Sequence, residues 1–192
     1  DLTINAMALD PQGALIDPFN GKSDLEGHVL RHVSAAFSED PVRILRLARF
    51  AARYADFTVA APTLALARQM VEAGEVDALV PERVWQELAR GLLEVRPSRM
   101  LSVLTDCGAL SRLLPELERS WRTHSPMADQ SKLSARDHVD RSVDRAAGLG
   151  ADLPTRFACL THEINDAPVP SAAGTRSSQG NAAAMAALDR LC

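Results

Sequence analysis

Asp40 and Arg43 stand three residues apart in "FSEDPVRILRLARFAARY", where the sequence turns helical. At that spacing two side chains leave a helix on the same face. A carboxylate only accepts hydrogen bonds and a guanidinium only donates them. Cytosine offers an N4 donor beside an N3 acceptor, and adenine an N6 donor beside an N1 acceptor. Guanine and uracil present the reverse order on those edges. An acceptor–donor pair of side chains therefore suits C and A together and mismatches G and U. The plainer alternative is an intrahelical ion pair, common at this spacing.

The same stretch sorts its charges. At 100° per residue, Arg43, Arg46, Arg49 and Arg53 fall within an arc of roughly 120°. Ile44, Leu47, Ala48, Ala51 and Tyr54 fill the neighbouring arc, with Phe50 at the border between the two. One side packs while the adjacent side is a guanidinium stripe, suited to holding a phosphate or to a solvated face. Ser38 as N-cap, acids in the first turn and Pro41 near the start predict a helix from Ser38 to about Tyr54.

Around that helix the sequence predicts a mainly α protein with a small β element first. "LTINAMAL", the turn residues "DPQG" and "ALIDPF" read as a β-hairpin over residues 2–17. A helical turn capped by Ser23 or Asp24 follows, and "VLRHV" reads as one more short strand. Further helices are expected from Pro62 to Gly74, from Pro81, over "RPSRMLSVLTDCG" and over "ALSRLLPEL". The polar "RTHSPMADQSKLSA" reads as a linker, helices over 135–148 and 153–164 follow, and "NDAPVPSAAGTRSSQGNAAA" reads as loose. Trp85 and Trp121 are expected as packing anchors rather than base-stacking platforms.

Bulk properties narrow the class. The 192 residues are 46% hydrophobic and 24% charged with a net charge of −4, the balance of a soluble globular protein. No run approaches the ~18 apolar residues of a membrane helix, and the first residues lack signal-peptide form. Cys107, Cys159 and Cys192 are odd in number and far apart, which points to free thiols in a reducing compartment, by default the cytoplasm. The acidic balance excludes a bulk basic field for nucleic acid but leaves room for a local basic stripe. The chain opens without a Met, inside what reads as a structured segment, as a fragment would.

Five segments in order, "DLTINAMA", "DPFNGKSDL", "LRHV", "EDPVRILRLARFAAR" and "PERVWQEL", resemble the bacterial class II tRNA nucleotidyltransferases. These are the CCA-adding enzymes, with the bacterial poly(A) polymerases as close relatives. The resemblance implies a division into a head remnant over 1–35, a helical neck and body over 36–120, and a tail over 121–192. It places Asp40 and Arg43 on the base-templating pair and Arg46 on a further nucleotide-contacting arginine. Asp17, Gly21, Asp24 and Leu25 fall on a flexible head-to-neck element, with Asn20 where the family usually has glycine. Glu82, Arg83 and Glu87 fall on a motif that braces the neck. It also implies CTP and ATP as substrates, tRNA as partner, and two Mg²⁺ ions held by an Asp-x-Asp pair that precedes residue 1 in the family. No Asp-x-Asp occurs here, so the chain by itself is expected to contact a nucleotide without transferring it.

The stretch "DHVDRSVDRAAGLGADLPTRFACLTHEI" resembles an HD phosphohydrolase domain. His138 falls on its first ligand histidine and His162 on the histidine of the His-Asp pair, but Glu163 stands where the aspartate would be. With Asp144 these form an incomplete ligand set, and a degenerate domain that keeps its packing without hydrolysis is expected. His28, His32 and His124 are assigned no role. CCA addition is the leading reading, with poly(A) addition, a non-catalytic RNA-binding module and a phosphohydrolase following in that order.

Overall fold

The computed structural model describes residues 1–122 and 134–166. It is mainly α, with a small β element at the start. The expected linker, with His124, and the stretch from Ala167 onward lie outside the described residues.

The hairpin is shorter than expected. Strands β1 (Ala8–Leu9) and β2 (Leu15–Ile16) pair Ala8 with Ile16 and Leu9 with Leu15. Asp10 shapes the turn: its Oδ1 accepts from the N–H groups of Gln12 at 2.9 Å and Ala14 at 2.8 Å. Residues Thr3–Asn5 are a 3-10 turn rather than strand. The buried Thr3 hydroxyl donates to Asp24 Oδ2 at 2.7 Å, which folds this segment onto helix α1 (Gly21–Glu26).

Helix α1 takes its cap from an unexpected residue. Neither Ser23 nor Asp24 caps it; Asp17 does, accepting from Gly21 N at 2.7 Å and Lys22 N at 2.9 Å. Asp24 is instead buried between the Thr3 hydroxyl and Arg31 Nε, the latter 3.1 Å away. Asn20 sits in the left-handed region at φ 57°, the conformation that makes glycine the easy choice there. At Gly21 a Cβ would lie 2.3 Å from the Thr3 carbonyl oxygen, so only glycine lets the two segments approach.

Strand β3 (Val29–Leu30) pairs in parallel with β4 (Thr58–Val59). Parallel strands need a crossover of a dozen or more residues, and this one contains the central helix α2 (Val42–Arg53). Ile44, Leu45, Leu47, Ala48, Ala51 and Ala52 of α2 are fully buried against α4 (Pro81–Leu92) and α5 (Pro97–Asp106). The periodic apolar positions of α4, Val84, Leu88 and Leu92, face the same core. Gly91 brings α4 close to Met100, since a Cβ would stand 2.2 Å from its sulfur.

Helix α3 (Ala61–Glu72) is halted before Gly74 at φ 80°. The single helix expected over "ALSRLLPEL" is two, α6 (Ala109–Leu113) and α7 (Pro115–Arg122), because Pro115 has no N–H to continue α6. In the tail, α8 (Ala135–Gly148) opens on a Ser134/Asp137 capping box and α9 (Leu153–Thr161) on an Asp152 cap. A 3-10 turn, His162–Asp166, replaces the last turn expected of α9. Trp85 meets Phe157 edge-on at 5.5 Å, joining α4 to α9 as a packing anchor. Trp121 lies under the Arg136 guanidinium at 5.3 Å.

Candidate nucleotide-contacting site

Pro41 disfavours the helical conformation for the residue before it. Asp40 is accordingly extended, at φ −140° and ψ 107°. The helix therefore starts at Val42, and Ala35–Glu39 form a separate 3-10 turn. Ser38 does not cap α2; its hydroxyl donates to the Ala35 carbonyl at 2.9 Å. Pro41 holds the N-cap position, and Asp40 before it makes an Asx turn into the helix, its Oδ1 accepting from Val42 N at 3.1 Å.

Asp40 and Arg43 do not pair with each other. Asp40 Oδ2 accepts from Arg83 Nη2 at 2.7 Å, reaching across to α4. Arg43 donates through Nη1 to the Ala36 carbonyl. Burial alone would raise the Asp40 carboxyl. The Arg83 hydrogen bond, the Val42 N–H and the charges of Arg83 and Arg43 outweigh it and hold Asp40 below the usual carboxylate range. Asp40 thus stays ionised, an acceptor only. Its side chain keeps 31% of its surface exposed, so a ligand can reach it.

The remaining arginines of the stripe divide by depth. Arg46 Nη2 donates to Asp1 Oδ2 at 2.6 Å with 35% of its side chain exposed. Arg49 is sunk to 13% exposure, where Nε meets Glu87 Oε2 at 2.7 Å and Nη1 lies 3.7 Å from Glu94. Arg90 approaches Glu87 from the other side at 3.5 Å. Arg53 lies over the Tyr54 ring at 5.7 Å. Arg49 is therefore an internal tie between α2 and α4, Arg43 and Arg46 stay partly open at the N-terminal end of the stripe, and Arg53 is exposed at its C-terminal end. Glu82 is exposed in the first turn of α4, so the bracing contacts come from Arg83 and Glu87.

Sequence reasoning missed the partners. The Ala36 carbonyl leaves no signal in the sequence. Arg83 was legible as part of a bracing motif, but its grip on Asp40 was not. The apolar cleft lined by Trp85, Leu88, Leu117, Phe157, Leu160 and Ile164 lies at the seam of α4, α7 and α9, and none of the nucleotide-contacting candidates lines it.

The tail brings its three ligand candidates together. His138 Nδ1 is 2.6 Å from Glu163 Oε1, His162 Nε2 is 3.3 Å from the same oxygen, and the two ring nitrogens are 3.4 Å apart. His162 Nδ1 faces the Cys159 carbonyl at 2.8 Å. A carbonyl can only accept, so Nδ1 donates to it, which leaves Nε2 as the ring atom that faces the cluster. Two imidazoles and one carboxylate fit part of a borderline divalent cation's shell. Asp144 does not join them. Its carboxylate caps α5, taking Ser98 N at 3.0 Å, Ser98 Oγ at 2.6 Å and Arg96 Nε at 3.3 Å.

A short β element precedes a helical body, and an ionised acceptor and a separately held donor stand at the start of its central helix. The family described as "Probable RNA and SrmB-binding site of polymerase A" matches residues 56–120. The multifunctional CCA protein of Janthinobacterium sp. (strain Marseille) is 62% identical over 164 residues, covering 85% of this chain and 39% of the relative. That of Leptothrix cholodnii is 61% identical over 171 residues, covering 89% and 41%. The Thermotoga maritima CCA-adding enzyme complexed with tRNA superposes with a TM-score of 0.65 at 25% identity, over 99% of this chain and 42% of that one. A tRNA nucleotidyltransferase with a primer tRNA and an incoming ATP analog gives a TM-score of 0.55 at 27% identity, over 88% and 53%. The chain belongs to the CCA-adding tRNA nucleotidyltransferase family, and it spans about two fifths of the length of the curated relatives it matches.

Proposed function

We propose that the protein adds C, C and A to the 3′ end of tRNA from CTP and ATP. Asp40 and Arg43 read the base edge, and Arg46 contacts the nucleotide. The observation that carries this reading is the separated pair: an ionised acceptor and a donor, each held by a different neighbour and neither spent on the other. The tRNA and nucleotide complexes of its relatives support the same partners. The Mg²⁺ ions of transfer are assigned to carboxylates outside this chain. The division at residues 35 and 120, and a cytoplasmic location, belong to this proposal. No helix among the described residues is long and apolar enough to cross a membrane.

The test offers the full-length gene product Mg²⁺, tRNA lacking its 3′ end, and the four nucleotides singly and together. Two cytidines, one adenosine and a stop are expected. A long run of adenosines alone would assign poly(A) addition. Bound tRNA with no incorporation would favour a non-catalytic RNA-binding module.

In the tail, the convergence of His138, His162 and Glu163 favours a second, limited role: holding one divalent cation without hydrolysis. Titration with Zn²⁺ should show one equivalent bound by the full-length protein and lost in His162→Ala. Equal, negligible binding in both ends that reading.

A further inference from the structure

Asp40 and Arg43 would pair if left to themselves. An exposed ion pair between neighbouring side chains is favourable by about 0.2–1 kcal/mol, and closing it would turn the acceptor and donor edges toward each other. A nucleobase would then have to break the pair before it could be read. The fold prevents this from two sides. Arg83 draws the Asp40 carboxylate toward α4 at 2.7 Å, and the Ala36 carbonyl takes the Arg43 guanidinium. The Val42 N–H, 3.1 Å from Oδ1, fixes the second oxygen.

We infer that Arg83 is a positioning residue for base selection: it keeps the Asp40 carboxylate oriented and parted from Arg43. This rests on the reading of Asp40 and Arg43 as the base-contacting pair. Each carboxylate oxygen has lone pairs to spare after its present bond, so Asp40 can accept from a base amino group while Arg83 stays in place. The geometry also asks for an arginine. Lysine at the same position offers a point charge on a flexible stem and would fix the carboxylate plane less well. Arg83 does not lie in the α2 stripe; it reaches the site from the first turn of α4, 43 residues further along the chain.

The experiment measures kcat/KM for CTP, ATP, UTP and GTP in the full-length protein, wild type and with Arg83→Ala, Arg83→Lys and Asp40→Ala. Arg83→Ala is expected to lower discrimination against UTP and GTP roughly fivefold, the upper range for an exposed ion pair. The loss should appear as a raised KM for CTP and ATP, with kcat at saturation within about twofold of wild type. Arg83→Lys should recover part of the discrimination. A brace that acts only on stability would lower the melting temperature without changing the nucleotide ratio. Discrimination lost in Asp40→Ala but intact in Arg83→Ala overturns this inference alone. Discrimination intact in Asp40→Ala overturns the base-reading pair and the inference with it.

Discussion

Arg156→Met is expected to lower the thermal unfolding midpoint of the tail by roughly 10 °C and to speed amide exchange along α8 and α9. Arg156 is buried to 6% exposure, yet no carboxylate pairs with it among the described residues. Its guanidinium spans four backbone carbonyls instead. Nη1 donates to Leu92 at 2.8 Å and Glu94 at 3.0 Å, Nε to Ala151 at 2.8 Å, and Nη2 to Ala147 at 3.5 Å. Leu92 and Glu94 lie at the end of α4, and Ala147 and Ala151 at the end of α8, where helices leave carbonyls short of intrahelical partners, though Ala147 also accepts from Gly150 N at 3.0 Å. The negative end of each helix dipole adds to the attraction. One side chain thus joins the body to the tail.

Replacing it with an apolar chain of similar length keeps much of the packing and removes the side-chain donor from the Leu92, Glu94 and Ala151 carbonyls. A hydrogen bond to a charged group contributes about 1.5–3 kcal/mol, and an orphaned buried acceptor costs a similar amount. Because the carbonyls relax toward water, a net loss of about 3–4 kcal/mol is the expected scale. At about 2–4 °C per kcal/mol for a chain of this size, that gives the stated shift. Arg156→Lys keeps the charge but cannot reach both helix ends, so an intermediate midpoint is expected. A midpoint within 2 °C of wild type, with exchange rates unchanged, would show that the Trp85–Phe157 contact and the Asp144 cap hold the tail without it.

The same arginine shows where the sequence was legible and where it was not. Apolar periodicity announced α2 and α4, because burial of a helical face leaves a repeating trace. The glycines at 74 and 108 marked their turns, since a left-handed residue leaves a preference in the chain itself. Arg156 left no trace, because its acceptors are carbonyls, which every residue has. The Ala36 carbonyl that holds Arg43 is invisible for the same reason. Strand β4 was missed because two residues are too few to show alternation, and its partner is 29 residues away at Val29–Thr58. The start of α2 was misplaced for an avoidable reason. Ser38 looks like a cap, but the proline rule excludes Asp40 from the helix, which starts after Pro41. The guanidinium stripe was seen as a single surface. Its depth could not be seen, so Arg49, tied inside to Glu87, looked like Arg43 and Arg46 at the open end.

That division of the stripe decides the second large effect, on nucleotide choice. Asp40→Ala should lower kcat/KM for CTP and ATP by about 5- to 150-fold, the range a bidentate base contact supplies as about 1–3 kcal/mol of discrimination. UTP and GTP, which never gained from the acceptor, should change little, so selectivity falls while transfer itself survives. Arg43→Ala removes the donor instead and leaves the N3 or N1 acceptor of the base unmet, with a loss of similar size. Asp40→Asn is the sharper probe. It keeps the shape of the side chain but adds an N–H₂ donor, which can meet the O4 of uracil or the O6 of guanine. It should therefore admit UTP and GTP better than Asp40→Ala does. Arg49→Ala should act differently, because its guanidinium is spent on Glu87 and Glu94. It should lower stability and leave the nucleotide ratio unaltered. Two changes at the mouth of α2 that alter choice, and one deeper in it that alters only stability, separate a reading site from a charged brace. Unchanged nucleotide preference in both Asp40→Ala and Arg43→Ala would reduce Asp40, Arg43 and Arg83 to a capping network at the start of α2.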